Sequence, residues 1–271
     1  MTKKLKAVLS IAGSDPSGGA GIQADLKTMA ALGVYGMSVI TSLTAQNTQG
    51  VYEILPVPVE FFEKQLDLVL KDIRPAAVKI GIVGRANLML AIKESLETYK
   101  IENIVLDPVM VSSSGKKLLD PEALKALEEI FKISKLITPN LLEVQVLLER
   151  QINTIEEMKI AAKDLGEKYK TSVLVKGGHK NGSPDDVLYS RGQIKIFSGQ
   201  RIDNPNNHGT GCTLSSALAS YLALGYDLDT SVEKSKTYMT GALKADLDLG
   251  FGPGPLNHMW NYYKGEENEN L

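Results

Sequence analysis

One cysteine, one tryptophan and three histidines are all that this 271-residue chain holds of three residue types that often carry chemistry. A single thiol, Cys212, excludes an internal disulfide framework and suits a reducing compartment, so a cytoplasmic protein is expected. His179, His208 and His258 fall at no metal-ligand spacing, and no zinc site is expected. Dense Lys/Arg runs are missing, and 30 basic against 32 acidic residues leave a net charge of −2. That balance argues against a nucleic-acid partner. Long apolar runs are missing too. The stretch "KAVLSIAG" near the start is too short to cross a membrane and carries no A-x-A cleavage site, so it reads as a first strand. What is there is ordinary for a globular protein: 43% hydrophobic and 23% charged residues, in a chain long enough to bury a large core.

Apolar runs of strand length recur at 7–12, 37–45, 77–81, 104–107, 135–138 and 172–175. Helical periodicity fills the gaps, as in "VEFFEKQLDLVLKDI", where Phe62, Leu66, Val69 and Leu70 share a face. Asp120-Pro121-Glu122 reads as a helix start with Asp as N-cap, and Thr154 with Glu157 has capping-box spacing. Strands apolar on both faces, separated by helices, imply a parallel sheet of right-handed βαβ crossovers covered on both sides. "DDVLYSRGQIKIFSG" breaks the rhythm and reads as an antiparallel hairpin at the sheet edge, turning at Arg191-Gly192. No linker interrupts residues 1–262, which are read as one domain, and the acidic stretch 263–271 is read as a disordered tail.

"LSIAGSDPSGGAGIQADLKTM" resembles two phosphate-binding motifs and satisfies neither. Gly19, Gly21 and Ala24 match a dinucleotide fingerprint, but Gly19 lies seven residues past the strand and no carboxylate ends strand two. Gly13 and Gly18 match a P-loop, but Gly19 and Ala20 stand where Lys and Ser/Thr are required. These glycines, Gly13 among them, are instead read as shaping a pocket for a small substrate. A second turn suits phosphate better. Gly209-Thr210-Gly211-Cys212 precedes a helix of small and apolar residues, where N–H groups converge on an anion. Cys212 there is either a packed structural thiol or one whose pKa is lowered by the helix terminus.

Eight motifs now stand in order: "AGSDPSGGAGIQADLKT", "TAQNTQGV", "KIGIVG", "LDPVM", "TPNLLE", "LVKGGH", "HGTGCTLSSALA" and "GPGPLNH". Together they resemble the hydroxymethylpyrimidine/phosphomethylpyrimidine kinases of thiamine biosynthesis, within the ribokinase-like superfamily. The resemblance implies transfer of the γ-phosphoryl of Mg-ATP to 4-amino-5-hydroxymethyl-2-methylpyrimidine, and then a second transfer to the monophosphate. A homodimer is implied as well.

The resemblance also implies roles. Cys212 takes the general-base position that an Asp holds in other ribokinase relatives, with Gly209, Thr210 and Gly211 holding the charge on the transferred phosphoryl. Gln46 and Asp25 would read the pyrimidine, since an amide can match an amino group beside a ring nitrogen. Ile82 and Val109 would line its apolar sides, although the family usually has Met where this chain has Ile82. Asp107 and Glu143 would hold Mg²⁺, and Thr138, Asn140 and Lys176 would lie along the nucleotide phosphates. The loop 199–205 would border the adenine. A pyridoxal kinase of the same fold is the alternative, with a non-catalytic ligand sensor behind it. The "TAQNTQGV" loop favours the pyrimidine, and the intact set Asp107, Glu143, Lys176 and Cys212 favours an enzyme.

Overall fold

Along the first strand, Leu9 and Ile11 point into one hydrophobic core and Val8 into another. That alternation divides the whole molecule, because the strand sits inside a sheet covered on both faces. The computed structural model describes residues 5–110, 119, 121–178 and 184–262. Its strands are β1 (Ala7–Ser14), β2 (Tyr35–Asn47), β3 (Gly50–Pro56), β4 (Ala77–Ile80), β5 (Ile104–Leu106), β6 (Leu136–Ile137), β7 (Ser172–Val175), β8 (Asp186–Ser190) and β9 (Gln193–Phe197). The helices are α1 (Gly21–Ala31), α2 (Val59–Asp72), α3 (Ala86–Thr98), α4 (Pro121–Ile133), α5 (Leu141–Leu148), α6 (Ile155–Tyr169), α7 (Thr210–Ala223) and α8 (Leu228–Lys244). Asp120, His179 and the acidic tail 263–271 lie outside the described residues.

The nine strands form one sheet in the order β3-β2-β1-β4-β5-β6-β7-β8-β9. The six from β2 to β7 run parallel. Helices α2, α3, α4 and α6 bury Phe62, Leu66, Met89, Ile92, Ile130 and Leu165 against one face. On the other face α1, α7 and α8 contribute Met29, Leu214, Leu218 and Val232. This is the α/β architecture that the alternation of strands and helices predicts, and α6 carries the predicted Thr154/Glu157 capping box.

The antiparallel edge hairpin expected from the sequence is present as β8–β9, and a second antiparallel edge accompanies it, where β3 returns antiparallel to β2. The far half of β2 alternates between exposed and half-buried residues and β3 exposes most of its length. A ribbon that buries so little has no apolar run to announce it.

His258 is buried and sits against α7, its Nε2 3.0 Å from Thr213 Oγ1. Burial, with the charge of Lys27, pushes the imidazole down to about 4. The unfolded chain therefore binds the proton more tightly, and stability is complete above about pH 6.5 and lost as pH falls through 4. Across that window wild type is expected to lose about 3 kcal/mol through this residue. Urea midpoints measured from pH 7 to 4 check it, and His258→Gln should fall less steeply over the same range.

Candidate active site

The first turn of α7 faces the C-terminal ends of the parallel strands, where ligands bind in open α/β sheets. Three backbone segments are packed so tightly there that only glycine fits. Gly209 caps α7 with φ +83°, and a Cβ on it would lie 1.8 Å from the carbonyl oxygen of Gly19. Gly21, which opens α1, has φ +56° and would place a Cβ 2.3 Å from the carbonyl oxygen of Gly13. The loop after β1, the start of α1 and the start of α7 thus form one floor. Gly209→Ala is expected to lower Tm by several degrees, since the left-handed conformation alone costs about 1–2 kcal/mol before the clash with Gly19. A thermal melt beside a turnover assay checks it.

Asp15 organises this floor. It is buried, and its Oδ1 accepts from the Ser17 N–H and hydroxyl while Oδ2 accepts from the Ala20 N–H. His208 Nε2 lies 2.9 Å from the same Oδ2. Burial works against the charge on Asp15, but these hydrogen bonds outweigh it and hold the carboxyl well below its usual range. Gln46, half-buried at the end of β2, brings its amide nitrogen within 3.2 Å of that imidazole nitrogen. A ring nitrogen that donates to a carboxylate cannot also accept from an amide, so with His208 protonated at Nε2 the Gln46 NH₂ keeps its donors for a ligand, while the Gln46 carbonyl oxygen lies 3.3 Å from the Thr44 hydroxyl. Gly13 lies beside Ile82, whose Cγ2 would be 3.3 Å from a Cβ on the glycine. Ile82 and Val109 both keep accessible surface.

At the other end of the site, Asp107 follows β5 and Lys176 follows β7, and their side chains meet at 2.6 Å. The Thr138 hydroxyl donates to the same Asp107 Oδ1 at 3.2 Å. Oδ2 faces the glycine turn: a Cβ at Gly211 would lie 2.9 Å from it and 3.6 Å from Lys176 Nζ. Burial works against the charge of Lys176, but Asp107 and Glu143 more than restore it. Asn140 caps α5 and accepts from the Glu143 N–H, while Glu143 Oε2 accepts from the Asn140 N–H. Burial pushes Glu143 up to about 7, with Lys176 opposing and Asp107 adding to the rise. Beyond Lys176, the Gly177 N–H donates to Asp186, which pairs with Lys236 of α8 at 2.6 Å. Lys236 borders a cleft of about 490 Å³, lined also by Phe197, Gly199, Gln200 and Thr237.

Two sequence-based expectations change. Cys212, with a hydrogen bond from the Gly21 N–H, keeps some accessible surface, but burial pushes its thiol up rather than letting the helix terminus pull it down. Asp25 is at the site but beneath it. It has no accessible surface, and Ser10, Lys79 and Ser216 occupy its two oxygens. No donor from a ligand reaches that carboxylate in this arrangement. Lys79 is the residue the sequence reading passed over. A lysine inside the apolar run "AVKI" was the available signal, because a charge in a strand buried on both faces needs a partner.

Comparison with known proteins bears on all of this. The family model described as phosphomethylpyrimidine kinase matches residues 15–257. A hydroxymethylpyrimidine/phosphomethylpyrimidine kinase of Rhizobium meliloti is 45% identical over 262 residues, which cover 94% of this chain and 98% of that protein. The thiamine biosynthesis multifunctional protein ThiED of Corynebacterium efficiens is 44% identical over 260 residues, 93% of this chain. The chain spans only about a third of that longer relative, 35% of its length. Among solved structures, a pyridoxal kinase from Staphylococcus aureus in complex with AMP-PCP aligns with a TM-score of 0.88 at 33% identity. The alignment covers 96% of this chain and 95% of that one.

Proposed function

The chain belongs to the phosphomethylpyrimidine kinase family, and from that premise we propose that it phosphorylates 4-amino-5-hydroxymethyl-2-methylpyrimidine with ATP, and then the resulting monophosphate, in thiamine biosynthesis. The observation that carries this is the meeting of Cys212, the glycine turn Gly209–Gly211 and the Asp107–Lys176 pair at one helix terminus. A hydroxyl acceptor, an anion cradle and a cation thus meet, on this proposal, at the start of α7.

In this reading the substrate hydroxyl loses its proton to the Cys212 thiolate as its oxygen bonds to the γ-phosphorus, while the bond from that phosphorus to the β-phosphate oxygen breaks and ADP leaves. The first-turn N–H groups of α7, which have no carbonyl ahead of them in the helix, hold the charge that develops on the transferred group. Lys176 adds a fixed positive charge from the opposite side. Gln46 reads the amino-pyrimidine edge, with Gly13, Ile82 and Val109 around the ring, and Asp25 acts from below rather than by direct contact. Thr138 and Asn140 border the phosphate path, and the cleft lined by Gly199, Gln200 and Lys236 takes the adenosine. The carboxylates fit Mg²⁺: both are hard oxygen donors, and Asp107 adds to the rise that burial imposes on Glu143, a crowding of negative charge that a divalent cation relieves. Asp107 and Glu143 would hold it, and when bound it neutralises phosphate charge.

The reading includes a cytoplasmic homodimer, for which the exposed Val51, Tyr52, Ile54 and Leu55 of edge strand β3 offer a surface. Among the described residues, no helix is long and apolar enough to cross a membrane. Incubation with Mg-ATP and either the hydroxymethylpyrimidine or pyridoxal, followed by mass spectrometry, tests the activity. Mono- and then diphosphorylated pyrimidine is expected. Pyridoxal phosphate as the only product would instead assign the chain to pyridoxal kinases, and no product from either would leave a ligand sensor.

A further inference from the structure

Ser10 and Lys79 are register partners on β1 and β4, and both point to the α1/α7 face of the sheet. Between them lies Asp25. Its Oδ1 receives Lys79 Nζ at 2.8 Å and the Ser216 hydroxyl at 2.7 Å, and its Oδ2 receives Lys79 at 2.8 Å and the Ser10 hydroxyl at 2.5 Å. All four side chains are completely buried. A buried ion pair is a poor stabilising device, since apolar residues of equal volume usually do as well. Its position suggests another use.

Ser216 is four residues after Cys212 on α7, so the two share a helix face one turn apart. Asp25 is four residues after Gly21 on α1, and Gly21 is the residue whose N–H reaches the Cys212 sulfur. The two helices are therefore joined by two successive rungs, Gly21 to Cys212 and Asp25 to Ser216. Lys79 lies beside the lower rung, and its chain runs along β4 toward the site: a Cβ on Gly81 would lie 2.7 Å from Nζ.

We propose that the Lys79–Asp25 pair is a positioning pair for the proton acceptor, in which Asp25, hydrogen-bonded to Ser216 one helix turn after Cys212, holds the Lys79 ammonium close beneath the thiol. The inference rests on the reading of Cys212 as the acceptor. The charged groups acting on the sulfur are Lys79 from β4, Asp25 from α1 and Asp107 beyond β5, with Lys176 across the Gly211 turn. Burial drives the thiol up, both carboxylates add to that rise, and Lys79 is the principal cation opposing it.

Cys212 is the only cysteine in the chain, so alkylation by iodoacetamide at a series of pH values reads its ionisation directly. Lys79→Met should move the alkylation midpoint up by about one pH unit, and Asp25→Asn should move it down. The double variant should return near wild type. Midpoints that stay put, or that move the same way in both single variants, overturn the proposal, because a loosened fold has one sign only. Should Lys79→Met not fold, the downward shift in Asp25→Asn is still required. The rising limb of kcat against pH should follow the alkylation midpoint in each variant. If alkylation shifts as stated and kcat does not follow, Cys212 is overturned as the acceptor while the coupling of Lys79 to the thiol stands.

Discussion

Cys212→Ala is expected to lower kcat by about 10²–10⁴-fold while nucleotide affinity stays close to wild type, the range over which a positioned proton acceptor contributes. The thiol sits in the first turn of α7, between the floor built by Gly13, Gly19 and Gly21 and the Asp107–Lys176 pair. Of the other described side chains near that point that exchange a proton, Asp25 is sealed beneath it, Asp107 is held by Lys176 and Thr138, and His208 is tied to Asp15. Because burial pushes the thiol up, kcat should still be rising with pH where an unperturbed cysteine would have levelled off. Cys212→Asp is the informative companion. A carboxylate restores an acceptor with a lower pKa, so turnover should exceed that of Cys212→Ala and its pH dependence should shift toward acid. Single-turnover kinetics over a pH series measure both. A kcat for Cys212→Ala within a few-fold of wild type would make the residue a packed thiol.

The parts of this molecule that bury apolar surface were legible in the sequence. β1, β4 and β5 are buried on both faces and mostly apolar, and runs such as 77–81 and 104–107 read as interior parallel strands. The Thr154/Glu157 box could be read because a cap is a local event of four residues. β3 could not, because its register against β2 is set by a turn at Thr48 and Gln49 rather than by burial. The site divided along the same line. Spacing located the glycine turn, but the close approach that requires glycine at 209 is to the Gly19 carbonyl oxygen, in a loop nearly two hundred residues earlier. Cys212 was visible as a thiol at a helix start. The sign of its pKa shift was not, since a helix terminus is a local feature and desolvation is a property of the assembled site. Asp25 looked like a ligand for the same reason: nothing local tells that Ser10, Lys79 and Ser216 will converge on it.

The second large effect is expected at Lys176. Lys176→Met should reduce kcat by about 10²–10³-fold, the scale on which loss of one fixed charge or donor at a developing anion is felt. Its Nζ is the cation set against the glycine turn, 3.6 Å from where a Cβ of Gly211 would stand. Removing it also strips Asp107 of its partner while that carboxylate stays only 4% exposed. Breaking a buried pair from one side costs about 3 kcal/mol or more, so Tm without ligands should drop along with activity. The two losses separate with added Mg²⁺. If Asp107 and Glu143 hold the ion, Mg²⁺ should raise Tm more in Lys176→Met than in wild type, because it replaces the missing positive charge at two carboxylates. Activity should stay low if the ammonium acts on the phosphoryl group as proposed, since the ion held by the two carboxylates does not take its place. Recovery of both together would make Lys176 only a counter-ion for Asp107. Recovery of Tm alone keeps it as a group that acts on the transferred phosphate.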